Sequence, residues 1–129
     1  MEQKSNDSTP LRPAGQRVLN DNLVQMDLQQ FIQQIKSEIT WKEGEKNAIT
    51  IFKSEKMRVV LIGLHKNAEL KEHTANAQIS VQVLEGEIQF SSENSITNLS
   101  VGQMVALQPK IPHHVFANKE SFFLLTLAS

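Results

Sequence analysis

Residues 71–88 read KEHTANAQISVQVLEGEI. Ile79, Val81 and Val83 alternate with Ser80 and Gln82, the period-two pattern of a strand with one buried face. The dipeptide Glu85-Gly86 interrupts the run before it resumes at Glu87, so the spacing predicts two short strands joined by a turn. His73 stands ahead of the first strand. Further along, residues 108–118 read QPKIPHHVFAN and add His113 and His114.

The same texture extends in both directions. Apolar runs near 48–53, 57–65, 70–75, 79–84, 87–91, 95–99, 103–108, 113–117 and 121–127 are separated by SEK, KNAE, EG, SSEN, VGQ, PKIP and NKES. Many short strands with regular turns predict an all-β sandwich or barrel. MRVVLIGL (57–64) and FFLLTLA (122–128) are apolar on both faces and therefore need cover on both sides.

A helix supplies part of that cover. Asp27 is a suitable N-cap, with Gln30 three residues later and Met26 and Phe31 at the positions of a hydrophobic staple. Leu28, Phe31, Ile32, Ile35 and Ile39 form one apolar stripe at helical spacing. The expected organisation is a flexible tail over 1–22, a helical segment over 23–42 and a β-barrel over 43–129. The tail assignment rests on its Ser, Asn, Asp, Gln and Pro content and its lack of any period.

Composition narrows the function. Thirteen basic and 14 acidic residues among 129 give a net charge of −1, so no basic field exists for nucleic acid. Tyr is absent and Trp41 is single, which also argues against stacked-base recognition. With no cysteine there are no disulfides, thiolate metal sites or cysteine nucleophiles. The opening MEQKSNDSTPLRPAG lacks the apolar core of a secretory signal, and the helix has a Gln-rich polar face unsuited to membranes. The expectation is a cytoplasmic protein with neither nucleic-acid nor membrane partners.

The two histidine segments resemble the paired motifs of small single-domain cupins, a family of jelly-roll β-barrels. The first motif runs G-x5-H-x-H, three or four residues, then E-x6-G. Anchored on Gly86 of VLEG, it places a histidine slot on His73, the second histidine slot on Ala75, the glutamate slot on Ile79 and the opening glycine slot on Asn67. The second motif runs G-x5-P-x-G-x2-H-x3-N. From Gly102 it places Gln108 and Lys110 in the proline and glycine slots, His113 in the histidine slot and Ala117 in the asparagine slot. A rival register uses Pro109, Ile111, His114 and Asn118 and requires an extra residue. Alternation allows only one of His113 and His114 to face inward, and the preferred register makes it His113. His65, before the KNAE turn, is expected at the surface.

The resemblance implies a metal held by three histidines and a glutamate. Here the matched slots supply only His73 and His113 as metal ligands. Ala75 and Ile79 have no donor atom. Glu72 and Gln78 lie beside the slots, and a local bulge is needed to bring either inward. The expected site is an apolar pocket lined by His73, Ala75, Ile79, Val81 and His113, with no cofactor or one divalent metal ion. The leading function is binding of a small anionic or hydroxylated ligand. The alternatives are a metal-dependent dioxygenase or isomerase with one non-standard ligand, and a non-catalytic structural or regulatory dimer.

Because MRVVLIGL and FFLLTLA demand cover beyond one helix, a two-fold homodimer is expected, with an outer sheet face at its centre. Sedimentation equilibrium at micromolar concentration should give twice the chain mass. A monomer there overturns the expectation.

Overall fold

The computed structural model describes residues 4–7, 9–12 and 15–129. Among them the elements are β1 (Lys4–Asn6), β2 (Arg17–Asn20), α1 (Leu28–Ser37), α2 (Ile39–Glu43), β3 (Lys46–Lys53), β4 (Met57–Leu64), β5 (Glu69–His73), β6 (Gln78–Glu85), β7 (Glu87–Ser92), β8 (Ser95–Ser100), β9 (Met104–Leu107), β10 (His113–Ala117) and β11 (Ser121–Ala128). Each strand that the alternation predicts between 48 and 127 is present.

β3 to β11 form two sheets, one in the order β3-β4-β11-β6-β9 and one in the order β5-β10-β7-β8. The chain crosses between them at β4–β5, β5–β6, β6–β7, β8–β9, β9–β10 and β10–β11. The strands β4-β11-β6-β9 therefore lie over β5-β10-β7-β8, the jelly-roll arrangement. Gly86 makes the β6–β7 turn with φ +84°, and its missing side chain leaves room for Ser121 and the Glu120 carbonyl. The Ser121 hydroxyl accepts from Glu87 N at 2.9 Å and is fully buried there.

The strands that are apolar on both faces are covered on both faces. Val60, Ile62 and Leu64 of β4 and Phe123 of β11 pack between the sheets with Val81, Val83, Ile88, Phe90 and Val115. Val59 and Leu61 of β4 and Phe122 of β11 point outward and meet Ile32, Ile35 and Trp41. Gly63 carries no Cβ where the Phe122 and Trp41 rings close over the strand.

Asp27 caps α1 by accepting from Gln30 N at 3.2 Å. Ile32 and Ile35 are completely buried, whereas Phe31 is only half-buried. The expected stripe does not reach Ile39, which is 49% exposed. The helix ends at Ser37 because Glu38 is extended (φ −84°, ψ 146°), and a second short helix starts beyond it. His65, expected at the surface, is half-buried. Its ring stacks on Trp41 at 3.6 Å, with Nε2 2.8 Å from the Trp41 carbonyl. No helix among the described residues is long and apolar enough to cross a membrane.

Within the 1–22 segment, β1 and β2 are among the described residues, and residues 1–3, 8, 13 and 14 lie outside them. β1 and β2 pair antiparallel. Arg12 Nη2 donates to the Ala48 carbonyl at 2.7 Å, and Arg17 Nε donates to the Thr50 carbonyl at 2.7 Å. Two guanidinium groups thus satisfy carbonyls on the exposed edge of β3, which would otherwise be open to pairing with another chain. Arg12 also makes a two-pronged bond to Glu38, with Nε–Oε2 at 2.8 Å and Nη2–Oε1 at 3.0 Å. Asn47 Nδ2 donates to the same carboxylate at 2.9 Å.

The Glu38 side chain is 3% exposed and that of Arg12 20%. Burial pushes the Glu38 carboxyl pKa up, but hydrogen bonds from Arg12 and Asn47 and the Arg12 charge outweigh it, leaving the pKa below the ordinary value. A depressed carboxylate pKa contributes stability above its unfolded pKa, and that stability is lost as pH falls through the folded pKa. Arg12→Ala leaves a buried carboxylate without its cation and should cost about 3 kcal/mol in urea titration at pH 7. The variant should also lose less further stability than the wild type between pH 5 and acid. Equal urea midpoints at pH 7 would show that the arm contributes nothing.

Candidate functional site

His73 ends β5 and His113 begins β10, and the two residues are direct cross-strand partners. The row continues through Ser92 of β7 to Ser95 of β8. One step inward the same sheet presents Val115, Phe90 and Thr97, and one step further Ala117, Ile88 and Leu99. On the facing sheet Leu127, Ile79 and Leu107 form the matching end row, with Leu125, Val81 and Val105 beneath. The end of the sandwich is therefore a polar rim over an aliphatic interior. Lys110 N donates to the Ala75 carbonyl at 2.8 Å and ties together the loops that carry the two motifs.

A bulge sets the phase of His73. Leu70 packs on the inner core, so simple alternation would turn Glu72 inward and His73 outward. Val115 pairs with Leu70, but two residues earlier His113 pairs with His73, three residues later. The extra residue in β5 shifts the phase and brings His73 into line with His113. Glu72 remains exposed, and the Gln78 amide donates to Gln108 at 3.1 Å. Neither joins the histidines.

The backbone also bears on the motif register. Asn67 has φ 73° and Lys110 φ 69°, the left-handed conformation that favours glycine. Asn67 fills the opening glycine slot of the first motif, and Lys110 fills the glycine slot of the second-motif register that selects His113. His113 is 4% exposed, with its ring 5.8 Å from that of Phe90. His114 turns to the other face, where Nε2 lies 3.1 Å from Glu69 Oε2.

The two imidazoles meet edge to face, with centroids 4.2 Å apart and planes at 64°. His73 Nδ1 lies 2.8 Å from the Lys71 carbonyl and His113 Nδ1 3.0 Å from the Ile111 carbonyl. A carbonyl only accepts, so each neutral ring carries its proton on Nδ1 and leaves a lone pair on Nε2. No hydrogen bond from the described residues reaches either Nε2. Burial lowers the His113 pKa below the ordinary histidine value, the Ile111 carbonyl opposes the shift, and the neighbouring His73 charge adds to it.

These donors fall short of the family's metal set. Zinc sites use three or four protein ligands, and the rim offers two imidazoles. Ala75 packs against the inner core, Ile79 is 5% exposed and Val81 2% exposed, so the interior below the rim is filled with hydrocarbon. No group of three or more His, Cys, Asp or Glu side chains among the described residues has the geometry of a metal site. Sequence reading missed the rim serines.

No family model matches the sequence, and no curated protein matches it. Solved structures do. An RmlC-like cupin from Desulfovibrio desulfuricans superposes with a TM-score of 0.61 at 23% identity, over 84% of this chain and 94% of its own. A cupin-2 domain protein from Shewanella frigidimarina NCIMB 400 gives 0.64 at 13% identity, over 81% and 94%. A cupin 2 conserved barrel domain protein from Leptotrichia buccalis gives 0.63 at 26% identity, over 67% of this chain and 42% of that one. With the jelly-roll order and the motif turns in place, this chain is a small cupin-fold protein.

Two outcomes test the site chemistry. A folded-state pKa below the unfolded one means that the unfolded chain takes up the proton first, so stability falls as pH drops below about 6.5 and levels off below the folded pKa. His113→Gln should reduce that loss in chemical denaturation, and the His113 ring should titrate below a free histidine by NMR. Separately, Ala75→His with Ile79→Glu should create a zinc site that raises the melting temperature on metal addition, while His113→Ala in that background should remove most of the gain. Tight stoichiometric zinc in the unaltered protein would refute the two-ligand description.

Proposed function

We propose that this cupin-fold protein binds a small anionic or hydroxylated molecule at the His73–His113 rim. The observation that carries the reading is the pair of imidazoles with both Nδ1 atoms committed to backbone carbonyls and both Nε2 atoms free. Neutral Nε2 accepts a hydrogen bond from a hydroxyl, and protonated Nε2 donates one to an anion. The packed aliphatic rows beneath give the rim an apolar floor. The cysteine-free composition fits a cytoplasmic setting. Homodimerisation is part of the same proposal, supported by Met104 at the uncovered β9 end of the larger sheet, where it is 54% exposed.

The two ligand classes separate by pH. An anion favours the protonated rings, so its binding should raise the histidine pKa values and strengthen as pH falls from 8 to 6. A neutral polyol should bind independently of pH or more weakly at low pH. Ring Cε1–H resonances of His73 and His113 followed during titration with malonate and with glycerol read both effects. The proposal fails if neither probe moves either ring at tens of millimolar while the protein remains folded.

A further inference from the structure

On β4 the inward positions are Leu64, Ile62 and Val60, all in the core between the sheets. The next inward position is Arg58. It pairs with Leu127, which pairs with Ile79, so Arg58 stands at the end of the otherwise aliphatic row on the sheet opposite the histidine rim. Its orientation is supported by Thr50, the cross-strand partner of Val60 on the same face: Arg58 Nη2 lies 3.5 Å from Thr50 Oγ1. β4 continues through the turn at residues 65–68 into β5, which ends on His73. Arg58 and His73 therefore stand at the same open end, on successive strands of opposite sheets.

Arg58 is exposed and has no ion pair with any described carboxylate. Its cross-strand neighbour on β3 is Lys53, a second cation without an ion pair among the described residues. Arginine elsewhere in this protein is bound: Arg12 to Glu38, and Arg17 to the Thr50 and Gly15 carbonyls. A guanidinium presents a planar fork that matches a carboxylate with two parallel hydrogen bonds. Across the mouth, two Nε2 lone pairs await hydroxyl donors.

Resting on the ligand-binding reading above, we infer that the site selects a small hydroxy-carboxylate, with Arg58 holding the carboxylate and His73 and His113 accepting from its hydroxyl groups. Arg58 sets the charge class of the ligand and the histidines set its hydroxyl recognition.

The probes are glycerate, which carries both groups, and glycerol, which carries hydroxyls alone. In NMR titrations of the full chain, glycerate should move the His73 and His113 ring signals together with the Arg58 Nε–H signal. Arg58→Gln should weaken glycerate about tenfold or more and leave glycerol unchanged, with Arg58→Lys intermediate. Unchanged melting temperatures would confirm that the exposed substitutions do not act through folding. Equal glycerate affinity in wild type and Arg58→Gln overturns the role of Arg58, as does wild-type glycerate binding no stronger than glycerol. Movement of Arg58 Nε–H without any histidine response refutes the histidine-rim reading while leaving Arg58 as an anion site.

Discussion

The pairing of β4 with β11 is the constraint on which the molecule depends. Eight residue pairs, from Ser121↔Leu64 to Ala128↔Met57, join two strands that are apolar on both faces. A strand of this kind has no face to give to water, so it must lie in the middle of a sheet with a layer on each side. The four-stranded sheet supplies one layer. The helices supply the other through Ile32, Ile35 and Trp41. Deleting a buried aromatic such as Phe122 would therefore disturb the contact with both Trp41 and the sheet, at a cost of roughly 3–5 kcal/mol.

The same pairing carries the site. Leu127 lies next to Arg58 on one side and Ile79 on the other because the register of β11 places it there. The facing row on the smaller sheet follows from its own ladder, through His113 to His73 and Ser92. One local irregularity is decisive: without the extra residue in β5, Glu72 would occupy the inward position and the imidazole pair would not form. Asn67 and Lys110 retain the left-handed turns where the related motifs have glycine. The backbone of the motifs persists although half of their donor side chains do not.

Period-two alternation made the barrel strands legible, because solvent and core act on alternate side chains independently of distant partners. Alternation allowed only one of His113 and His114 to face inward, and the resemblance to the second motif, counted from Gly102, favoured His113. The N-terminal arm was not legible. Arg12 and Arg17 bond to carbonyls of β3, some thirty-five residues away, and nothing periodic records such contacts. The end of α1 was hidden likewise: Glu38 leaves the helix for Arg12 and Asn47, a pull invisible in the stripe that runs on to Ile39. Arg58 was obscured by its neighbours, for MRVVLIGL reads as hydrocarbon until the register shows which face the arginine takes.

Replacing a carboxylate with Ile79 changes more than the donor count. A glutamate buried between Leu127 and Leu107 would carry a charge in a low-dielectric setting and would need a cation or a proton to be tolerated there. Isoleucine packs against both leucines and leaves the mouth without that negative charge. Arg58 and its cross-strand neighbour Lys53 stand at the same end. Burial and the neighbouring His73 imidazole disfavour the His113 cation. Isoleucine in the slot where the resembled motif has glutamate thus removes both a donor atom and a fixed negative charge from the rim.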